Sequence, residues 1–271
     1  MQFYSLTRQL NRFKELGERS QIQVESVPIE PLVTFPARFV TAAGASGFDF
    51  VYASQCVYST QETIVPDVPK FITELHTSMR AAWASHRPAD AFDALICLDG
   101  YHGFGAIPTD LGQIDPSIPL CYISGMLKHV ASGANCAFMV APATLPLRPM
   151  LTGWLADPSV LAAESDGLKL GSEVGYCPGL SLMGGTPAFA PSLLIFNEVM
   201  RRWEERGIEV GRVHGHVMKL HDRFLAGLEL KQAADESAPA EHGTTAGIKV
   251  RHRSNLLYLC TGAPVLDGSS L

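Results

Sequence analysis

The chain has 271 residues, a length that suits one large domain or two smaller ones. Hydrophobic residues make up 46% of it, which is ample for a core, and a formal net charge of -6 speaks against a polybasic nucleic-acid surface. No apolar stretch reaches the roughly 18 residues of a membrane span, and the polar N-terminus lacks a secretory apolar core. We therefore expect a cytoplasmic protein that binds neither nucleic acid nor a membrane.

The six cysteines form no C-x-x-C pair and show no other spacing typical of a zinc or redox site. Several of them lie inside apolar runs such as ALICLDG and NCAFMV. We therefore expect buried free thiols in a reducing compartment and no bound metal.

Helical and strand-like patterns alternate in the first third of the chain. Residues 3–17 place apolar side chains at three- and four-residue steps, which predicts a helix, whereas residues 22–27 alternate as a strand does. Residues 36–46 are ambiguous, and residues 48–53 indicate a buried strand. Residues 68–85 are typical of a helix, with a proline in the first turn, where its missing N–H has no helical partner.

Three short apolar runs, at residues 93–98, 120–123 and 137–140, predict strands that lack the alternation of a half-exposed sheet. This pattern is typical of a mostly parallel sheet covered by helices on both faces, so the predicted fold class is α/β. The remaining predicted elements are helices at 191–206 and near 213–230, an exposed loop at 231–247 and a strand at 255–259.

Candidate chemistry gathers between residues 95 and 158. Asp99 ends a predicted strand, and ligands of open α/β sheets bind beyond the carboxyl ends of the strands. His102 follows three residues later, and Lys128 lies among apolar and small residues in MLKHVASGAN. Burial among such residues would disfavour the ammonium form, as a lysine that captures an aldehyde requires. A carboxylate for a pyridine nitrogen, an amine for the aldehyde and an imidazole beside the ring together suit pyridoxal phosphate (PLP).

Each of these residues also has a plainer interpretation. Asp99 is also explained as a turn or helix cap, His102 as a hydrogen-bonded structural histidine and Lys128 as an ordinary surface lysine. Because a D-x-x-H pair and a single lysine are weak signals, spacing alone leaves both interpretations open.

Three successive segments strengthen the cofactor hypothesis: DGYHGFGAIPTDL, CYISGMLKHVASGANCAFMVAP and LRPMLTGW. Together they resemble the central block of the class V aminotransferase-fold enzymes, which bind PLP, and most of all kynureninase and its bacterial relatives. In that family an Asp ends a strand, a His lies three residues on, a Lys follows, and a Gly-Trp pair comes later. Asp99, His102, Lys128 and Gly153–Trp154 fall on these positions in the same order.

The resemblance implies further residues that contact the cofactor. YASQCVYSTQ, centred on Tyr58 and Ser59, is similar to the piece that lines the cofactor pocket. GGTPAF, with Thr186, is similar to the turn that contacts the cofactor phosphate from the neighbouring subunit. Trp154 would likewise reach across the interface of a homodimer, and its plainer interpretation is an aromatic residue of the core or of an interface.

The resemblance also implies the architecture called fold type I. A PLP-binding large domain would span residues 1–195, and an incomplete small α+β C-terminal domain would span residues 196–271. The first part of the large domain and the last elements of the small domain would then be missing, so a chain truncated at both ends is expected. Leu127 stands where the family usually has a tyrosine that binds the cofactor phosphate, and His129 stands where it usually has an aromatic residue.

The function that the resemblance implies is a PLP-dependent enzyme acting on an amino acid, as a kynureninase-like lyase or an aminotransferase. Lys128 would hold the cofactor aldehyde and, once released, remove the substrate α-proton, while Asp99 keeps the ring electron-withdrawing. The alternatives are an inactive or truncated homologue that acts as a dimerising or regulatory remnant, and a cysteine desulfurase-like lyase. A nucleotide-binding α/β protein is disfavoured, because no G-x-G-x-x-G or P-loop follows a strand.

Overall fold

The computed structural model of the chain describes most of the central sheet and its helices, together with a C-terminal hairpin. The described ranges are 4–17, 22–57, 62–86, 94–133, 137–142, 148–158, 171, 173–177, 191–227, 248–253 and 257–261. Ser59 and Thr186, two of the predicted cofactor contacts, lie outside the described residues.

Helices form where apolar side chains recur at three- and four-residue steps. They are α1 (Tyr4–Leu16), α2 (Phe35–Ala43), α3 (Val68–His86), α4 (Pro191–Glu205) and α5 (Val210–Gly227). The helices predicted at 3–17, 68–85, 191–206 and 213–230 are confirmed, and the ambiguous segment at 36–46 contains most of α2. Among the described helices, none has the length and apolar character needed to cross a membrane.

The beginning of α3 shows how the local sequence sets an element. Asp67 precedes the helix, and its Oδ1 atom accepts the backbone N–H of Lys70 at 3.0 Å, which satisfies a donor of the first turn. Pro69 occupies that turn, where an N–H would have no helical partner. Ile72 and Leu75 then lie three residues apart on one face, and both are fully buried in the main core. This face anchors α3 to the protein.

The strands form a mixed sheet in the order β1-β2-β3-β4. They are β1 (Phe50–Ser54), β2 (Leu95–Asp99), β3 (Leu120–Gly125) and β4 (Ala137–Val140). β1, β2 and β3 run parallel, and β4 runs antiparallel to β3. The register pairs Ser54 with Asp99, Asp99 with Ile123, and Gly125 with Ala137. The predicted α/β fold class with a mostly parallel sheet is therefore confirmed.

The two faces of this sheet have different surroundings. Val51, Ile96 and Leu120 share one face and belong to the main core, together with buried residues of α2 and α3. The residues that alternate with them lie on the other face, where Cys97 is buried but Phe50 is 51% exposed. Among the described residues, buried side chains of α2 and α3 pack on the first face, and helical cover of the second face stays a prediction.

Residues 22–27 form no strand, so that prediction is wrong. Alternation indicates a strand only where a neighbouring strand supplies ladder hydrogen bonds. Just after this segment, the Arg38 guanidinium of α2 donates to the carbonyl oxygens of Pro28 at 2.7 Å and Pro31 at 3.1 Å. The carbonyl groups of Pro28 and Pro31 therefore accept hydrogen bonds from an arginine side chain and not from a neighbouring strand.

The C-terminal region contributes an antiparallel pair of strands, β5 (Ile248–Arg253) and β6 (Leu257–Thr261). The strand predicted at 255–259 corresponds to β6, whereas β5 was not predicted. The predicted loop at 231–247 lies outside the described residues. The assignment to fold type I and the division into domains at residue 195 stay predictions.

Candidate functional site

The candidate site lies where the parallel strands β1, β2 and β3 end. Their last residues are Ser54, Asp99 and Gly125, and the register places these carboxyl ends side by side. In α/β sheets this edge is where ligands bind, because the loops that leave the strands there can converge on one molecule. The position predicted for Asp99, at the exit of a strand, is confirmed.

Two hydrogen bonds from the protein hold the Asp99 carboxylate. Its Oδ1 atom accepts the backbone N–H of Tyr101 at 2.9 Å, which closes a tight turn directly after β2. Its Oδ2 atom accepts the hydroxyl of Tyr52, on β1, at 2.7 Å. Asp99 is therefore a turn residue, as its plainer interpretation had it, and also the centre of a contact between two strands.

Tyr52 is a site residue that the sequence reasoning missed. Burial raises the pKa of Tyr52, and the negative charge of Asp99 together with the hydrogen bond to it raises that pKa further, against a hydrogen bond from Ser54 that lowers it. The phenol thus stays protonated and donates to the carboxylate. The alternation of FDFVYA put Tyr52 on one face of a strand, but its partner becomes visible only once β1 is known to lie beside β2.

His102 lies in the turn that follows Asp99, where the N–H groups of Gly103 and Phe104 both donate to the carbonyl oxygen of Gly100. Burial lowers the pKa of His102, the positive charge of Lys128 lowers it further, and the Asp99 carboxylate acts in the opposite direction. One half-buried imidazole therefore experiences the charges of both other candidate residues. The structure thus brings Asp99, His102 and Lys128 into one electrostatic neighbourhood.

Lys128 lies in a tight turn after β3. The N–H of Ala131 donates to the carbonyl oxygen of Lys128 at 3.1 Å, and the N–H of Ser132 donates to that of Met126 at 2.9 Å. The Lys128 side chain is exposed, and Leu127 beside it is 45% exposed. The expectation of a buried lysine is therefore wrong, because the turn directs Met126 and Val130 inward and leaves Leu127 and the amine outside.

His129 follows Lys128 and is half-buried. Burial lowers the pKa of His129, the charge of Lys128 lowers it as well, and a hydrogen bond to the backbone of His102 acts in the opposite direction. Its Nε2 atom is buried and has no hydrogen-bond partner among the residues that the structure describes. His129 therefore links the Lys128 turn to the turn after Asp99.

Gln55, directly after β1, packs against the turn that follows Asp99. Its side chain is fully buried, its Nε2 atom donates to Thr109 Oγ1 at 2.9 Å, and its backbone N–H donates to the carbonyl oxygen of Asp99 at 2.8 Å. A Cβ atom added at Gly103 would overlap the Gln55 amide, so a side chain there would have to displace that buried amide. The residues around the carboxylate are thus closely packed.

The C-terminal helices reach this turn as well. The Nδ1 atom of His214, on α5, lies 3.1 Å from the carbonyl oxygen of Ala106. The Phe196 ring of α4 lies 6.3 Å from the Phe104 ring. Residues on both sides of the predicted domain boundary therefore contact the segment that carries His102.

Trp154 lies in a short 3-10 turn, Trp154–Ala156, and is 54% exposed. An exposed indole suits the predicted contact across a dimer interface, but that contact stays a prediction. Ser59 and Thr186 lie outside the described residues, so their predicted contacts with the cofactor stay predictions too. Among the described residues, no group of three or more His, Cys, Asp or Glu side chains is placed to hold a metal ion.

Comparison with known proteins shows no family for this chain. No protein-family model matches it, and no curated protein matches it either. The functional proposal therefore depends on the residues of the site and on their geometry.

The residues that are brought together fit PLP in their chemistry. Among the residues that the structure describes, each oxygen of the Asp99 carboxylate accepts one hydrogen bond, which leaves a lone pair for a ring N–H. The Lys128 amine is open to solvent, where an aldehyde can reach it. His102 experiences both charges, and its lowered pKa keeps its imidazole neutral and able to pack beside a ring.

Proposed function

We propose that this protein binds PLP at the carboxyl edge of its sheet and acts on an amino acid, as a kynureninase-like lyase or an aminotransferase of the class V fold. The observation that carries the proposal is that His102, in the turn directly after Asp99, experiences the opposite charges of Asp99 and Lys128. A carboxylate, an imidazole and an amine converging on one sheet edge are the groups that a pyridine aldehyde needs.

When bound, PLP supplies an aldehyde that captures an amino group and a ring that withdraws electrons. Asp99, whose carboxylate two other hydrogen bonds keep in place, would hold the proton on the ring nitrogen. Lys128 would hold the aldehyde carbon and, as a free amine, would take the proton from the α-carbon of the substrate. His102 would contribute a neutral imidazole to the site, since an imidazolium would oppose the positive charge of the ring.

Uptake of PLP by the purified chain tests the proposal. We expect a visible absorption band from covalently bound PLP at a stoichiometry near one per chain, and we expect Lys128→Ala to abolish that band. Lys70→Ala, which removes an exposed lysine from α3, is the matched control and should leave the band unchanged. A wild-type chain that takes up no PLP, or a band that survives in Lys128→Ala, contradicts the proposal.

The exposure of Lys128 favours a second candidate, a non-catalytic homologue that dimerises with a related enzyme or regulates it. An amine that water surrounds loses the assistance that burial gives to deprotonation. This candidate predicts a folded chain that takes up no PLP and forms a stable complex with a second chain in sedimentation experiments. A chain that binds PLP and converts an amino acid excludes it.

A homodimer is part of the main proposal, since Trp154 and Thr186 are proposed to contact the cofactor of the neighbouring subunit. Sedimentation velocity of the wild-type protein tests this directly. In a dimer, Trp154→Ala should weaken PLP binding while leaving Lys128 available, so the band should form at a higher PLP concentration. A strictly monomeric protein with full PLP uptake contradicts the shared site.

A further inference from the structure

The hydroxyl of Tyr52 contacts Asp99 in a geometry that the order of strands imposes. β1 and β2 are parallel neighbours, and Ser54 pairs with Asp99 in the register. Tyr52, two residues before Ser54, shares the face of Ser54 and Asp99, and its side chain extends along the strand until Oη lies 2.7 Å from Oδ2 of Asp99. A distance of 2.7 Å is that of a strong hydrogen bond between a hydroxyl and a carboxylate.

Two hydrogen bonds with different donors restrict the carboxylate more than either one alone. The backbone N–H of Tyr101 holds Oδ1 from the turn that follows β2, and Tyr52 holds Oδ2 from the neighbouring strand. An aspartate with the turn contact alone could rotate about its χ2 angle, which is a broad and soft torsion. The second contact, from a strand that the turn does not move, removes that freedom.

We propose that Tyr52 is a positioning residue, whose hydroxyl fixes the Asp99 carboxylate in the one orientation in which it can hold the ring nitrogen of a bound cofactor. The cofactor part of this inference rests on the function proposed above. The part that concerns the protein alone, that Tyr52 immobilises Asp99, does not.

The residues around the pair are consistent with this role. Tyr52 is only partly buried, and Ser54, which is buried, hydrogen-bonds to its hydroxyl, so the two hydroxyls and the carboxylate form a chain of hydrogen bonds. Burial and the charge of Asp99 raise the pKa of Tyr52, so the phenol donates throughout the range in which proteins are stable. A phenylalanine at this position would fill the same space without the donor.

The test compares Tyr52→Phe with Tyr122→Phe. Tyr122 belongs to the neighbouring strand β3 but pairs with Leu98 and lies on the opposite face of the sheet, so it is a matched control for the loss of one hydroxyl. Amide hydrogen exchange of Tyr101, measured by NMR without cofactor, reports whether the Asp99 carboxylate stays in place. Equilibrium dialysis with PLP and the visible band of the bound cofactor report the consequence for the site.

We expect Tyr52→Phe to speed exchange of the Tyr101 amide roughly 10-fold, as the loss of a hydrogen bond to a charged group allows. We expect PLP to bind roughly 10-fold more weakly and with a shifted band, and neither effect in Tyr122→Phe. A merely structural role for Tyr52 would change stability without shifting the band.

The outcomes separate the two proposals. Unchanged Tyr101 exchange in Tyr52→Phe overturns the positioning role, whether or not the protein binds PLP. Faster exchange with unchanged PLP affinity and band shows that Asp99 is immobilised for another purpose, and overturns the cofactor part of the inference. A wild-type protein that takes up no PLP overturns the proposed function, and the exchange rates then decide alone whether Tyr52 holds Asp99.

Discussion

Replacing Gly100 by alanine tests how tightly the chain is packed directly after Asp99. A Cβ atom placed at Gly100 would overlap Oη, Cζ and Cε2 of Tyr122. Tyr122 is only 3% exposed, so its ring has no solvent-filled space into which it can rotate. Overpacking of a close-packed interior costs about 1–3 kcal/mol, and because the ring is confined we expect a loss of about 2–3 kcal/mol in the free energy of unfolding.

Urea denaturation followed by circular dichroism measures this loss, and a double-mutant cycle assigns it. In a Tyr122→Leu background the clash is removed, so adding Gly100→Ala should cost about 1 kcal/mol or less. Gly215→Ala on α5 is the control, because outside the helix's own backbone no heavy atom of the described residues lies within 4 Å of its Cβ position. It should stabilise the protein by about 0.5–1 kcal/mol, the usual gain of alanine over glycine inside a helix.

The packing argument fails if Gly100→Ala unfolds at the same urea concentration as the wild type. It also fails if the loss is equally large when leucine occupies position 122, since the ring would then not be its cause. The first outcome would mean that the turn after Asp99 has more room than the structure shows, and the second that another neighbour of Gly100 or its backbone causes the loss.

Other predictions follow from burial and charge. Leu98→Ala should lower the free energy of unfolding by about 2–5 kcal/mol in urea titrations, because Leu98 is fully buried in the central strand; a loss under about 1 kcal/mol contradicts its burial. The pKa values of His102 and His129 lie below the ordinary value of 6.5, so the unfolded chain binds more protons. The free energy of unfolding should therefore fall as the pH drops below about 6.5, with a smaller slope in His102→Asn, and equal slopes would refute this. Burial raises the pKa of Cys97 to about 12, so alkylation of Cys97 in the folded protein, followed by mass spectrometry, should be at least ~100-fold slower than in urea; equal rates would show an accessible thiolate.

The positions of β2 and β3 were predictable because their apolar runs carry enough information by themselves. The contact between Tyr52 and Asp99 was not, since the two residues are 47 positions apart and meet only after β1 pairs with β2. The outward direction of Lys128 was hidden for a different reason. Met126 and Val130 are each 4% exposed, while Leu127 is 45% exposed. A sequence of small and apolar residues does not indicate which of its side chains a turn directs inward.

The strand that was wrongly predicted at 22–27 shows the limit of alternating hydrophobicity as evidence for a strand. A period of two describes a backbone that is able to join a sheet, but the sheet must offer an edge in the right place. Here the prolines that follow and the arginine fork of α2 fix the chain in another path. β5 is the opposite case. It forms a strand by pairing with β6, although its residues indicate a strand more weakly than those of β6 do.

The antiparallel step from β3 to β4 has a consequence for how the two ends of the site are supported. Gly125, at the end of β3, pairs with Ala137, at the start of β4. The segment that carries Lys128 therefore begins and ends at neighbouring positions of the sheet. Asp99, in contrast, is the last residue of strand β2 and belongs to the sheet itself. Lengthening or shortening this segment would relocate the Lys128 amine while β3 and β4 keep both of its ends in place, so the position of the amine can change without a change at Asp99.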